Sequence, residues 1–542
     1  MVPAALRGQW IWLSPENKQV EEHLFFRREF TLGEMPGSAE LWITARTGFQ
    51  VFINGRHAAF GPNPCPSKGG SFLTPLEASY YLQAGRNVIA VLANNTCVTR
   101  SSCSRMPGGL WCQLDLDGKP TVWSDADWKV RRADCYAANR PRRSASGGFT
   151  ESIDFRVHPH GWTEEGFEDS HWSAPDCIKP VSLNNRRILP SRFSDVTSRY
   201  DAPERVNARG TWGQRCAMSF LGLSELVGAG DGGVYVARSF FKASQAGSLP
   251  VKLFGDNPYR LFLNGQCVRE QGVPTLKCGQ PVDQLNPPAH GEAGVIPVDG
   301  DLHVTKGWNE LVLFEVTDSV AAGMGFVFPH TPPGAIVFRR KAEDEAEKGW
   351  TVAGPLKTPL PATLPDLDFD RLAAHPYTPE LSIAANEQAL LHALRFQPDS
   401  KAEENTGRRE LHKFEYIVYD FGRTIHGSPT LSLESGEADM LHVVTAEALD
   451  DVTRVPHLRR GDRQDIETII CDTGKIEWLA ATPRSFRYLM LVTRDVDDVL
   501  SLNSVGVTST EIYFSDRGAF HCADETLNQI WQIGERTLNQ TV

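Results

Sequence analysis

Phe49-Gln50-Val51-Phe52-Ile53-Asn54-Gly55 is the stretch from which the fold can be read. Five strand-forming residues run straight into Asn-Gly. Both turn residues tolerate the positive φ of a type I′ turn, so the strand reverses at once into a hairpin. Upstream, Trp10-Ile11-Trp12-Leu13, Phe25 to Phe30 and Ala39 to Ala45 are rich in aromatic and β-branched residues and read as strands. Downstream, Leu82 to Asn87 is a second turn, and Val88-Ile89-Ala90-Val91-Leu92-Ala93 is a near-continuous apolar strand. A strand that is apolar on both faces lies between two layers. Short strands separated by Gly and Asn turns predict a β-sandwich of jelly-roll type.

The pattern then recurs in the same order. Tyr235 to Phe240 echoes Arg27 to Phe30, Tyr259 to Gly265 echoes Phe49 to Gly55, and Gly307 to Phe314 echoes Gly85 to Leu92. From Asn54 to Asn264 is 210 positions, far longer than a solenoid repeat. The expectation is two related sandwiches in tandem. A third β-rich region begins near Phe414, with strands at Tyr416 to Gly422 (running into a turn), Thr430 to Leu433, Met440 to Thr445, Ile476 to Trp478, Phe486 to Val492 and Ser504 to Ser509. Leu381 to Arg395, dominated by Ala, Leu and Glu, reads as a helix, and Pro355 to Pro365 as a linker. The mixed charges of Arg339 to Lys348 read as an exposed hairpin loop.

The last stretch, Asp516 to Val542, reads as a helix capped by Asp524, with Glu525 at the positive end of its dipole. Leu527, Ile530, Trp531, Gly534 and Leu538 share one side. Such a stripe needs a partner, so the helix is read as the first element of a domain that the sequence does not contain. The plainer reading is a terminal helix docked on the preceding sheet. The divisions expected are 1–180, a β-sandwich (jelly-roll) domain; 181–360, a second, related sandwich; 361–515, linker, helix and third sandwich; and 516–542, the start of a helical domain.

The net charge of −12 argues against non-specific nucleic-acid binding. Eleven Cys, with no CxxC pair, read as reduced thiols of a cytoplasmic protein; Cys97, Cys103 and Cys112 match no zinc spacing. Met1 to Arg7 lacks a signal-peptide core, and no run is apolar enough to span a bilayer. No metal and no other cofactor is expected: His158 and His160 read as loop histidines, and no glycine-rich phosphate loop joins a strand to a helix. The acids of Gly161 to Trp172 and Ser124 to Trp128 read as loop and turn chemistry around anchoring aromatics.

The order of motifs resembles the bacterial α-L-rhamnosidases of glycoside hydrolase family 78. The residues that carry it are Trp10-Ile11-Trp12, Arg27 to Phe30, Phe52 to Gly55, Gly85 to Val91, Gly161 to Trp172, Asp420-Phe421-Gly422, Glu447-Ala448-Leu449, Phe486-Arg487-Tyr488 and Phe520 to Leu538. The resemblance covers nearly the whole chain and implies tandem sandwiches followed by a catalytic (α/α)6 barrel, of which the terminal helix would be the beginning. The family's general acid and base are carboxylates inside that barrel, so no catalytic residue carries over. The resemblance implies the accessory part of an inverting hydrolase of rhamnose-containing glycosides, catalytically incomplete as given, whose partner is carbohydrate and a separate or missing barrel.

Two other readings stand beside it. One is a free-standing carbohydrate-binding protein, with Asn94, Asn95 and Trp111 as candidate binding residues: an Asn pair after a buried strand and an aromatic after a glycine loop. Their plainer role is turn chemistry and core. The other is a complete enzyme using Asp420, Glu447 and Asp462, whose plainer role is strand-end capping and ion pairing with residues such as Arg423 or Arg487.

Overall fold

In the computed structural model, Asn54 and Gly55 take φ of 50° and 77°, and Asn264 and Gly265 take 49° and 83°. Both pairs are the positive-φ hairpin turns that their chemistry demands. The described residues run from Pro3 to Thr541. The stretches of five or more outside them are 15–20, 63–69, 97–106, 138–142, 144–148, 179–186, 190–195, 224–232, 272–297, 318–322, 378–393, 457–465 and 513–517.

In the first sandwich, one sheet runs Lys129–Arg132, Glu22–Leu32, Gly85–Asn95, Gly48–Ile53, Arg56–Gly61. The facing sheet runs Asp176–Ile178, Trp10–Trp12, Leu110–Leu116, Ala39–Ala45, Thr74–Glu77, with Lys119–Trp123 beside Leu110–Leu116. Ile89, Val91 and Ala93 point into the core between the sheets. Ala90 and Leu92 point the other way, into a layer built by Phe25, Trp162, Trp172 and the third sandwich. This is why the strand is apolar on both faces.

The second sandwich repeats the first in register. Arg27 lies opposite Ala90 and Leu32 opposite Gly85. In the second copy Arg238 lies opposite Val312 and Ala243 opposite Gly307. A buried asparagine clasp is repeated too. Asn54 Nδ2 donates to Asn87 Oδ1 at 2.8 Å, and Val88 N donates to Asn54 Oδ1 at 2.9 Å. Asn87 Nδ2 donates to the carbonyls of Gln83 and Gly85, while its Oδ1 accepts from Gln83 N. In the second copy Asn264 Nδ2 meets Asn309 Oδ1 at 2.9 Å and Glu310 N meets Asn264 Oδ1 at 2.9 Å. Asn309 then clasps Thr305 N, Thr305 O and Gly307 O as Asn87 clasps its own turn. The second core is aromatic, with Trp350 stacked against Phe338 at 5.1 Å and Phe326 at 5.3 Å.

The strand pairing departs from a strictly tandem order. Val196–Asp201 pairs with Leu500–Ile512, and Arg205–Gln214 pairs with Glu415–Ser435. Residues 196–214, expected in the second domain, thus belong to the twelve-stranded sheet of the third. Arg205–Gln214 also pairs with Leu394–Pro398, so the second sandwich is inserted between two neighbouring strands of the third. Arg205 to Gln214 breaks hydrophobic alternation with Asn207, Gly210 and Gly213, which hid it as a strand. Leu394 and Arg395 are strand, not the end of a helix; the rest of the helix expected at 381–395 lies outside the described residues apart from these two. Pro355 and Leu356 likewise close the strand Trp350–Leu356 rather than open a linker. Glu415–Ser435 continues through the turn expected at Gly422. The register shifts between Asp420 and Ile425, and Gly422 sits at φ 72°, so the turn is a bulge within one strand. The loop expected at 339–348 is a hairpin-like excursion bridged by Arg339 with Lys348 and closed by an Arg340–Glu347 ion pair at 2.6 Å.

Three histidines sit in or beside the first sandwich, His23 buried and His57 and His158 half-buried. His57 lies against Phe52 and Phe60, His158 against Phe25 and Phe155, and His23 stacks on Tyr136. Desolvation lowers each from an ordinary 6.5 to about 4.

Two expectations follow from these packings. Asn309→Ala should strip the second sandwich's turn of its clasp and leave part-buried amides unpaired, at a cost of about 1–2 kcal/mol; hydrogen exchange across Gly307–Thr317 reads the loss, and unchanged protection contradicts it. The neutral histidines stabilise the fold above pH about 6.5, and that stability is lost as pH falls through about 4. Melting temperature should therefore drop between pH 7 and pH 4.5, and His57→Gln should flatten part of the slope.

Candidate functional site

Asn94 and Asn95 close the strand Gly85–Asn95, whereas Trp111 lies in Leu110–Leu116 on the facing sheet. Asn94 is half-buried, with Nδ2 2.9 Å from His23 Nε2. Because His23 is held neutral, this nitrogen can accept the amide proton. Asn95 is 2% exposed and its Oδ1 accepts from Thr47 Oγ1 at 3.1 Å. Trp111 is 1% exposed; its indole N–H donates to Gly8 O at 2.7 Å and its ring packs with Trp10, Trp42 and Leu73. The three are not gathered into one platform, and Trp111 has no ring face open to a ligand. A glycine loop before a Trp serves core packing here as well as it would serve a site.

Hydrolysis of a glycoside needs a proton donor and a carboxylate base facing one cleft. The buried Asp420, Glu467 and Glu151 are instead tied to cations or backbone amides. Asp420 is fully buried and accepts from Arg205 at 2.6 Å, Arg487 at 2.8 Å and Gly422 N at 2.8 Å. Burial pushes its carboxyl up, but the Arg487 bond, the Gly422 amide and the Arg205 bond together hold it below the usual range. It is an anion with its lone pairs occupied. Arg487 is the partner read from the sequence; Arg423 pairs instead with Asp201 at 3.2 Å. Glu467 is bound by Arg143 at 2.5 Å and by Arg484. Glu151 accepts from Ala481 N and Thr482 N, and burial raises its pKa. Next to it, Ser152–Asp154 pairs in parallel with Ile466–Ile470. This charged cluster therefore joins the first sandwich's trailing segment to the third sandwich. Glu447 is half-buried, and Asp462 lies outside the described residues.

The acidic loop Gly161 to Trp172 is likewise structural. Asp169 and Glu29 each lie 2.9 Å from the fully buried Arg27, the carbonyls of Trp162 and Glu164 accept from the same guanidinium, and Phe167 stacks under it. Among the described residues no group of three His, Cys, Asp or Glu side chains could hold a metal ion. No helix among them is long and apolar enough to cross a membrane.

The terminal helix Glu525–Thr541 is different in kind. Thr526 N donates to Asp524 Oδ1 at 2.9 Å, so Asp524 caps the first turn. Asn528, 6% exposed, clasps both the N–H and the carbonyl of Cys522 at 2.9 Å, fixing the lead-in to the helix. The apolar side chains remain in water: Leu527 is 46% exposed, Ile530 58%, Trp531 41%, Ile533 59% and Leu538 58%. Phe520 lies against the Trp531 ring, at 5.7 Å. Five large apolar side chains on one short helix form a surface that ordinarily meets a partner.

No family model matches the chain. Its sequence is 26% identical over 178 residues to an α-L-rhamnosidase of Streptomyces avermitilis, covering 32% of this chain and 14% of that protein. It is also 26% identical over 202 residues to an α-L-rhamnosidase of Formosa agariphila, covering 34% of this chain and 21% of that one. The crystal structure of a glycoside hydrolase family 78 rhamnosidase of Bacillus sp. GL1 superposes with a TM-score of 0.67 at 20% identity, over 98% of this chain and 58% of that one. The chain thus spans about a fifth or less of the curated relatives and under two thirds of the Bacillus structure. In its β-rich fold, and in sequence over about a third of its length, this chain is similar to the N-terminal β-sandwich portion of the family 78 α-L-rhamnosidases.

Proposed function

We propose that this chain is the β-sandwich portion of an α-L-rhamnosidase-like glycoside hydrolase acting on rhamnose-containing glycosides. The terminal helix seats a helical catalytic barrel, carried on the same polypeptide or on a separate one. The observation that carries the reading is the apolar face of the terminal helix, with Leu527, Ile530, Trp531, Ile533 and Leu538 each at least 41% exposed. Completing the burial of such side chains stabilises an assembly by about 1.5–3 kcal/mol for a side chain taken from full exposure, and by a share of that here. The fold likeness to a rhamnosidase that extends well beyond the matched region supports the same view. The division of labour is chemical: Asp420, Glu467 and Glu151 are tied up in ion pairs and backbone hydrogen bonds, and the acid–base pair belongs to the barrel.

Hydrolysis of a chromogenic α-L-rhamnoside tests this. The 542-residue chain alone should give no turnover. Appending the part of the Bacillus rhamnosidase that lies outside the match should restore it. Ile530→Ser with Trp531→Ser should then lower activity by about tenfold or more, the effect of ~1.4 kcal/mol, with sandwich melting unchanged. Robust turnover by the chain alone would overturn the proposal.

A further inference from the structure

The two sandwiches share a register, so positions where they differ chemically stand out. In the first copy Arg86 pairs with Glu29 at 3.1 Å on the face of the sheet. The positions that correspond in the second copy hold Trp308 and Phe240. An ion pair has given way to two aromatics, and one of them, Trp308, lines a cleft. It has a volume of about 820 Å³ and lies between the 242–249 turn, the 306–308 turn and the 330–339 loop. That volume is within the roughly 300–1,000 Å³ of small-molecule sites.

Its lining has one sign of charge. Lys242, Lys306, His330 and Arg339 line it, and no Asp or Glu does. This stands against a chain whose net charge is −12. Glu310, opposite Phe240 and on the same sheet face as Trp308, does not line the cleft, and Asp301, also outside the lining, accepts the Ser248 hydroxyl at 2.8 Å. Lys242 and Lys306 are exposed and have no carboxylate partner among the described residues. Lys242 Nζ lies 5.8 Å from the ring centroid of the half-buried Trp308. An indole face beside ammonium groups suits a pyranose that bears a carboxylate. The ring stacks on the C–H face of the sugar, and the lysines meet the anion.

We propose that this cleft binds a uronate-containing oligosaccharide, and so holds an acidic glycan on the second sandwich. From the proposed function the inference takes only that the protein works on carbohydrate; it needs no catalytic barrel, and its test reads binding, not turnover.

The test is calorimetric titration of the 542-residue chain with trigalacturonic acid and, separately, with maltotriose, a neutral trisaccharide. Saturable binding of the acidic sugar is expected, weakening as salt rises, with the neutral sugar at least about tenfold weaker. Trp308→Ala, and separately Lys242→Gln with Lys306→Gln, should each weaken binding by about tenfold. These side chains are half-buried or exposed, and melting curves of the variants should match the parent. No saturable binding, equal affinity for both sugars, or binding untouched by both variants would overturn the assignment. A catalytically silent chain that binds trigalacturonate supports the cleft whatever becomes of the rhamnosidase reading; a rhamnosidase that does not bind it removes the cleft alone.

Discussion

A primary amide buried without water must find partners for two donors and two lone pairs, and few backbone arrangements offer them. Asn87 and Asn309 are both fully buried, and each solves the problem in the same way. Each closes its own turn through a carbonyl and an amide four residues back, and each accepts from the asparagine of the Asn-Gly hairpin whose first strand pairs with its own. The clasp ties the start of one strand to the end of its neighbour and so sets where the pairing begins. The rest of each sheet then falls into the same register. A one-residue slip would expose the apolar set of Gly85–Asn95 or Gly307–Thr317 and also orphan the amide. Two independent penalties therefore enforce one alignment, which is how two copies of divergent sequence keep the same geometry.

Buried charges fix a loop, a sheet and one contact between sandwiches as the amides fix the turns. Arg27 is sealed by the 161–172 loop, and Glu467 by arginines from two sandwiches. Asp420 is bracketed by Arg205 and Arg487, which come from strands on either side of it. Such pairs add little net stability over apolar packing, but breaking one leaves an uncompensated charge. Their value lies in exclusivity, since Glu467 keeps both its arginines only while Arg143 and Ser152–Asp154 lie on the third sandwich.

What could be read from the sequence was whatever depends on local chemistry. Asn54-Gly55 and Asn264-Gly265 declare their turns through φ alone, and Asp524 declares its cap. The apolar side of the terminal helix was legible from spacing, though Ile533, outside the stripe, is exposed too. Pairing across distance was not legible. Nothing in Arg205 to Gln214 says that its partners lie beyond an inserted sandwich, and its glycines blunt the alternation. Gly422 looked like a turn because a bulge asks for the same positive φ. Trp111 reads most plainly as core, and a sugar platform stays open beside it because a side chain's type does not reveal which face of its sheet is covered.

The duplicated sandwich also supplies its own control for function. Where both copies keep a residue, as at the clasping asparagines and at Arg27 and Arg238, the shared fold accounts for it. Arg238 lies over Phe369 at 4.0 Å much as Arg27 lies over Phe167 at 5.0 Å, one aromatic loop per copy. Where the copies differ at corresponding positions on an exposed face, the shared register does not dictate the residue. The Arg86–Glu29 pair satisfies itself on the surface of the first copy. Trp308 and Phe240 cannot satisfy each other in that way, and a half-buried indole beside uncompensated lysines gains nothing for the sheet that Arg and Glu did not already supply. The second copy therefore holds a surface that its fold does not require, and it is there, rather than at the buried Asn95 and Trp111 of the first, that a ligand has room to sit.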